Sequence, residues 1–251
     1  MKIAVCIKRV PATETQAKIA AGGTSLEPSG VEYMLSFYDD IAVEQAIRTK
    51  EQHGGEVTVL TLGPATATKE VRECLAKGAD KGVILRDEDW ASNDCRATAT
   101  VLADKLRELE VELVFTGRVA TDRDNAAVGP MIATMLDWAC VTDAIEVEIG
   151  AAGKCTAKRE ADGGIESFEF SLPAVVTCQK DLNAPRYAGL KGIMAAKKKP
   201  LEEVEVARAQ SQTQVVAVAL PPARAEGRIV GEGPDAVASL IDALRNEARV
   251  L

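Results

Sequence analysis

Few residues of this 251-residue chain are of a type that does covalent chemistry, and their counts decide much. His53 is its one histidine, so a His-rich zinc site is excluded, and any Ser-His-Asp or Cys-His scheme would have to use that residue as its base. It stands beside Gly54 and Gly55, at the expected end of a helix, where a capping or surface role explains it. Six cysteines (Cys6, Cys74, Cys95, Cys140, Cys155 and Cys178) form no C-x-x-C pair, which argues against iron–sulfur clusters and all-cysteine zinc sites. They are expected to be small buried hydrophobes in a reducing compartment. Neither a catalytic residue nor a metal ligand set is expected.

A nucleotide would need an unusual cradle, because neither G-x-G-x-x-G nor G-x-x-x-x-G-K-[ST] occurs. The candidate is the run Phe115 to Pro130. It leaves the C-terminal end of an expected strand and opens a helix, the place where ligands of open α/β sheets bind and free amides face a phosphate. Gly117 permits close approach and Arg118 supplies charge. Asp122, Asp124 and Asn125 can cap the helix or grip hydroxyls, and Pro130 fits only in the first turn. Capping by Asp124 alone would explain part of this pattern without any ligand.

A second candidate is Asp181 to Lys199. A Pro-fixed loop there presents Tyr187, Leu190, Ile193 and Met194, and three lysines follow. An apolar knob beside charge suits a docking element, whereas a Leu190 buried at home would make it an ordinary loop. Lys197 to Lys199 reads as a solvated face.

The elements that must position these residues alternate strand and helix, as in a parallel sheet with crossover helices. Ile3 to Ile7, Val57 to Leu62, Val83 to Leu85 and Leu113 to Thr116 are the expected strands. Between them lie helices capped by Asp39 or Asp40, ended by Gly54-Gly55; packing Val71, Cys74 and Leu75 before Gly78; and capped by Ser92 or Asn93, with Thr98, Val101, Leu102, Leu106 and Leu109 on one stripe. A helix around Ala126 to Leu136 follows. Ala144 to Ile149, Cys155 to Glu160 and Ile165 to Phe170 then alternate apolar and polar residues, with turns at Gly150–Gly153 and Asp162–Gly164, which predicts an antiparallel meander. Pro173 to Thr177 returns to the main sheet. Leu201 to Pro222 is extended and Val-rich, and a last helix, Asp235 to Arg249, carries Val237, Leu240, Ile241 and Leu244 on one face. That tail needs something to pack on, its own sheet or a partner subunit. The fold class is α/β, a doubly wound, mostly parallel sheet with a meander and an extended C-terminal arm.

Composition narrows the partners. Thirty Lys+Arg against 38 Asp+Glu leave a net charge of -8, so no global basic field exists to hold nucleic acid. Lys2 to Lys8 brackets only a short apolar run, too short for a signal segment or a membrane span. A cytoplasmic protein without direct membrane insertion is expected. Aromatics are only 4%, a balance that favours helix-on-sheet packing.

Several runs together resemble the β subunit of electron-transfer flavoproteins over almost the entire chain. They are Val5–Val10, Ile41–Ala46, Gly78–Asp80, the Gly117–Gly129 loop, Arg159–Glu166 with Leu172–Thr177, and Leu182–Ala188 with Ile193, Met194 and Lys197–Lys199. The resemblance implies a heterodimer with an α subunit, a redox-active FAD shared with α, and a second nucleotide in β. That nucleotide is AMP in one type and a second, bifurcating FAD in another. It further implies that Cys6, Ser36, Tyr38, Asp39, Leu62 and the loop residues Gly117, Arg118, Val119, Ala120, Asp122, Asp124, Asn125, Ala126, Ala127 and Val128 line the β site. The loop with Tyr187, Leu190, Ile193 and Met194 would dock acyl-CoA or related dehydrogenases, and a membrane quinone oxidoreductase would receive the electrons. The implied division is 1–180 as nucleotide domain, 181–199 as recognition loop and short helix, and 200–251 as an arm on α.

The chain departs from the pattern at Ser36-Phe37-Tyr38-Asp39, where the AMP type has Asn-Pro-Phe, and at Asp122-Arg123-Asp124-Asn125, where bifurcating relatives have Asp-Gly-Asp-Thr. An arginine where close approach wants glycine favours AMP, although Val128-Gly-Pro130 is similar to the bifurcating type. In the docking loop Gly189 and Lys191 replace Thr/Ser and Pro. A rival from another class, a stand-alone adenine-nucleotide-binding regulatory module, would account for the loop but not for Leu182 to Lys199.

Overall fold

The computed structural model describes residues 1–150, 153–223 and 226–251. Strand β1 (Lys2–Cys6) is the centre of the construction, and its alternation divides two cores. Ile3 and Val5 face one and Ala4 and Cys6 the other, all of them buried, as a strand covered on both faces requires. β1 lies between two parallel neighbours, β4 (Glu56–Gly63) and β6 (Leu113–Gly117), with Ile3 level with Val57 and Leu113.

The sheet runs outward from there. Its nine strands have the order β11-β5-β4-β1-β6-β10-β7-β8-β9, with β5 at Lys81–Arg86, β7 at Ala139–Ile149, β8 at Lys154–Ala161, β9 at Gly164–Ser171, β10 at Ala174–Cys178 and β11 at Leu201–Glu205. The strands from β11 to β7 are parallel; β7, β8 and β9 pair antiparallel, which is the expected meander. The two middle residues of its first turn, 151 and 152, lie outside the described residues.

Helices cover both faces. α1 (Phe37–His53) and α2 (Thr68–Lys77) put Ile41, Ile47, Val71 and Leu75 into the first core; α3 (Cys95–Leu109) and α4 (Val128–Leu136) put Leu102, Leu106 and Ile132 into the second. Each such large side chain contributes about 1.5–3 kcal/mol by leaving water. The doubly wound α/β expectation is therefore met.

Local expectations fail where a side chain is needed elsewhere. α1 starts after Ser36, not at Asp39 or Asp40, which lie inside its first turn. α3 is capped by Asp94, whose side chain accepts from Ala97 N at 2.7 Å; Ser92 and Asn93 belong to the preceding turn. α4 begins at Val128 after an Ala127 that makes no side-chain cap, so Asp124 caps nothing. The polar stretch after β1 holds an unexpected hairpin, β2 (Arg9–Pro11) with β3 (Tyr33–Leu35).

The C-terminal segment also differs. β11 pairs with β5, so the chain leaves the sheet after Glu205 rather than at 200. The expected last helix is present but irregular: a 3-10 turn at Pro234–Ala236 leads into α6 (Val237–Asp242), which widens over Ala243–Glu247. Val237, Leu240 and Ile241 on it are exposed, as are Val216, Leu220 and Ile229 before it. Among the described residues, no helix is long and apolar enough to cross a membrane.

Candidate functional site

Two glycines set how closely the pieces of the site approach one another. Gly117 ends β6 against the first turn of α1, where a Cβ would fall 2.5 Å from Asp39 Oδ1. Gly129 presses the first turn of α4 onto the ends of β6 and β10, where a Cβ would fall 2.7 Å from Thr177 Cγ2 and 2.9 Å from Thr116 Oγ1. Pro130 sits in that first turn, where its missing N–H costs nothing. The N-terminus of α4 is thereby fixed at the carboxyl ends of the central strands.

A mostly apolar cleft opens there, with about 900 Å³ of empty space that includes open solvent. Of the residues expected to line it, Cys6, Asp39, Leu62, Gly117, Arg118, Val119, Ala120, Asn125, Ala126, Ala127 and Val128 do so. Tyr38 and Asp124 face an adjoining shallow cleft that shares Arg118, Val119 and Ala126. Ser36 and Asp122 line neither. Ser36 is buried beneath α1 with its hydroxyl unpartnered, and Asp122 is taken up by Lys8 at 2.7 Å.

The sequence reading missed the opposite wall, formed by Trp90, Ala91, Asn93, Asp94, Cys95, Thr98 and Leu102. A signal was present: Trp90 is one of two tryptophans, placed just past the carboxyl end of a strand.

The charges around the cleft are already committed. Lys8 pairs with Asp122, and its ammonium also stands 5.9 Å from the Trp90 ring. Arg118 pairs with Asp143 at 2.7 Å, and Arg123 crosses to donate to the carbonyls of Ala91 and Asn93. An anion would rest on backbone amides of the loop and of α4's first turn. Asp124 and Ala126 adopt positive φ of 49° and 52°, uncommon for residues other than glycine and typical of ligand-gripping loops.

Two titratable groups at the base are perturbed. Burial, and then the charge of Asp39, push the Cys6 thiol up to about 12, so it stays protonated and is no nucleophile. Burial raises Asp39 to about 7, against the amides of Lys8 and Gly117, which favour its charged form. The described residues contain no group of three or more His, Cys, Asp or Glu arranged to hold a metal.

The second candidate stands apart from the cleft. Tyr187 is 97% and Leu190 78% exposed, with Ile193 and Met194 exposed beside them on α5 (Leu190–Ala196), so Leu190 is not buried at home. The base of this knob is held firmly. Arg186 binds Glu44 at 2.8 Å and Glu51 at 2.6 Å on α1, and Asn183 Nδ2 donates to Ile41 O at 3.1 Å. On the other side, Arg72 donates to the carbonyls of Ala196 and Lys199. Lys197 and Lys198 are exposed, but Lys199 corrects the expectation of a solvated lysine face: its ammonium caps the end of α2 through Leu75 O at 2.8 Å and Ala79 O at 2.6 Å.

Comparison with known proteins adds to this geometry. A family model described as "Electron transfer flavoprotein domain" matches residues 24–209. The electron transfer flavoprotein subunit beta of Bacillus subtilis is 35% identical, with all of both chains covered. That of Syntrophomonas wolfei is 36% identical over all of this chain and 98% of its own. The corresponding subunit of Bradyrhizobium diazoefficiens is 37% identical, again with both chains covered in full.

Proposed function

The chain belongs to the electron transfer flavoprotein β-subunit family, and from that premise we propose that it assembles with an α subunit into an electron carrier whose β cleft holds AMP. The observation that carries this reading is the convergence of strand ends and the first turn of α4 on one mostly apolar cleft. The residues present fit an adenine nucleotide. Leu62, Leu102, Trp90 and Val128 offer apolar surface to a base, and the loop and helix amides offer donors to a phosphate.

AMP is favoured over a second FAD by Arg123. Its guanidinium joins the phosphate loop to the Ala91–Asn93 wall, and a ligand extending between those walls would have to break both hydrogen bonds. A redox-active FAD shared with α supplies the electron chemistry when bound. This chain's residues cover and position it without contributing a base or nucleophile. The exposed apolar stripe of α6 and the arm before it are the surface offered to α. Leu190 and its neighbours dock flavin dehydrogenases such as acyl-CoA dehydrogenases, and a membrane quinone oxidoreductase takes the electrons onward. Six free cysteines suit a cytoplasmic setting.

The experiment is anaerobic mixing of the co-expressed heterodimer with an acyl-CoA dehydrogenase and its substrate. Reduction of the heterodimer's flavin supports the carrier reading; a flavin that stays oxidised with every dehydrogenase tried, yet accepts electrons from NADH, contradicts it in favour of bifurcation.

A further inference from the structure

One short turn separates the cleft from the C-terminal arm. Residues Trp90–Ser92 form a single 3-10 turn that leads through Asn93 to the Asp94 cap of α3, and Trp90, Ala91, Asn93 and Asp94 are cleft wall. Hydrogen bonds such as Ser92 N to Asp89 O and Asn93 N to Trp90 O give the turn its own shape, but its place against the cleft depends also on what holds it from outside. Arg123 holds it from the phosphate-loop side. Arg208, three residues past β11, holds it from the arm.

Arg208 engages the turn at several points. Nη1 donates to Asp89 Oδ2 at 2.7 Å, Nη2 donates to Asn93 Oδ1 at 2.8 Å and to Ser92 Oγ, and Nε lies 3.3 Å from Asp87 Oδ2. Asp87 and Asn93 are buried and joined to each other at 2.8 Å. An isolated exposed pair would add little, but this planar fork fixes several groups of one turn at once. A few residues on, Asp94 Oδ2 accepts from the amides of Gln212 and Thr213, and Asp94 N donates to Ser211 Oγ. Residues 208–213 are thus a strap across the back of the wall, and the exposed apolar part of the arm follows directly.

We propose that Arg208 is a positioning residue that couples seating of the arm on its partner subunit to retention of the nucleotide in the cleft. With the arm seated, the strap is held taut and the wall keeps its place. With the arm free, residues 208–213 fray as an unsupported end would, the wall loses its outer brace, and the nucleotide leaves faster. Coupling of this kind is reciprocal, so an occupied cleft also strengthens the hold of the arm. The inference rests on the nucleotide-binding reading given above.

The test uses the co-expressed heterodimer, unaltered or carrying Arg208→Ala or Arg208→Lys in this chain. It measures exchange of the bound nucleotide with added radiolabelled AMP, and dissociation of the two subunits with and without AMP. Exchange at least about fivefold faster in the alanine variant is expected, with the lysine variant between, and AMP should slow subunit dissociation less in both variants than in the unaltered protein. Should the alanine variant fail to assemble, the lysine variant decides. Equal exchange rates in intact heterodimers overturn the coupling while leaving the nucleotide reading in place. An unaltered heterodimer whose β cleft yields and binds no adenine nucleotide overturns that reading as well.

Discussion

Asp39 Oδ1 accepts a hydrogen bond from the backbone N–H of Gly117 at 3.0 Å, a link between residues 78 positions apart in the chain. The other oxygen accepts from Lys8 N at 2.7 Å. One buried carboxylate in the first turn of α1 therefore holds the ends of β1 and β6 in register, and those two ends form the floor of the cleft. This explains why Asp39 does not cap its own helix.

Its titration gives the first prediction. Burial raises Asp39 to about 7, above its unfolded value of about 3.9, so the folded chain binds the extra proton between those two pH values. Its contribution to stability is present in full below pH ~4 and is lost as the pH rises to about 7. Lys8 and Asp122 face it and enter with opposite signs. Subtracting the urea midpoints of Asp39→Asn from those of the unaltered chain, pH by pH, should give a difference that falls between about pH 4 and pH 7. A constant difference would refute this account of Asp39.

Leu190 should matter for docking and hardly at all for folding. It is 78% exposed, so Leu190→Ala should change stability by less than about 0.5 kcal/mol. An apolar anchor entering a partner's pocket contributes about 2 kcal/mol or more, so the rate of flavin reduction by an acyl-CoA dehydrogenase should drop by at least about tenfold at limiting concentration. Stopped-flow absorbance measures it, and an unchanged rate removes Leu190 from the docking surface.

Arg186 should matter for both. Burial alone would raise Glu44, yet hydrogen bonds from Arg186 and Arg48 hold its carboxyl below the usual range. Arg186→Ala leaves that buried carboxylate with Arg48 and the backbone N–H of residue 186, and frees the base of the loop that carries Leu190. A stability loss of about 1–2 kcal/mol is expected, discounted because Arg186 is partly exposed, along with slower electron acceptance. Arg186→Lys should recover little of either, since lysine cannot bridge Glu44 and Glu51 as a fork. Full recovery by lysine in a denaturant titration would mean that charge alone holds the loop.

Asp94 caps α3. Its carboxyl is held below the usual range mainly by Ala97 N–H, with Gln212 and Thr213 amides adding to it. Asp94→Ala should cost about 1–2 kcal/mol, and Asp94→Asn less, because an amide oxygen can still accept from Ala97. Because the folded value is lowered, the aspartate's advantage over asparagine should be full above pH ~4 and shrink as the pH falls from there through the folded value. Thermal melts at pH ~7 and at a series of pH values below ~4 check both statements: the difference between the unaltered protein and Asp94→Asn should shrink steadily along the series.

The parts of the fold legible in the sequence were those fixed by local apolar pattern: β1, β4, β5 and β6 as continuous runs, α2 with Gly78 behind it, and the alternating strands of the meander. What the sequence hid was decided by distant partners. Ser36 rather than Asp39 begins α1 because the carboxylate is drawn to Gly117. Asp94 rather than Ser92 or Asn93 caps α3 because the latter two serve the turn that Arg208 grips. The hairpin of β2 and β3 is too short to show a period, and β11, with three glutamates among its five residues, reads as surface until β5 pairs with it. For the site, the loop from Gly117 to Val128 was legible from its place after a strand. Its facing wall came from a separate crossover, and only the isolated Trp90 pointed to it.

Nucleotide content tests the central claim most directly. The co-expressed heterodimer, purified without added nucleotide, would be denatured and its released nucleotides separated and counted against protein. One FAD and one AMP per heterodimer is the predicted result. Two FAD and no AMP would contradict it and assign the cleft beside Arg123 to a second flavin.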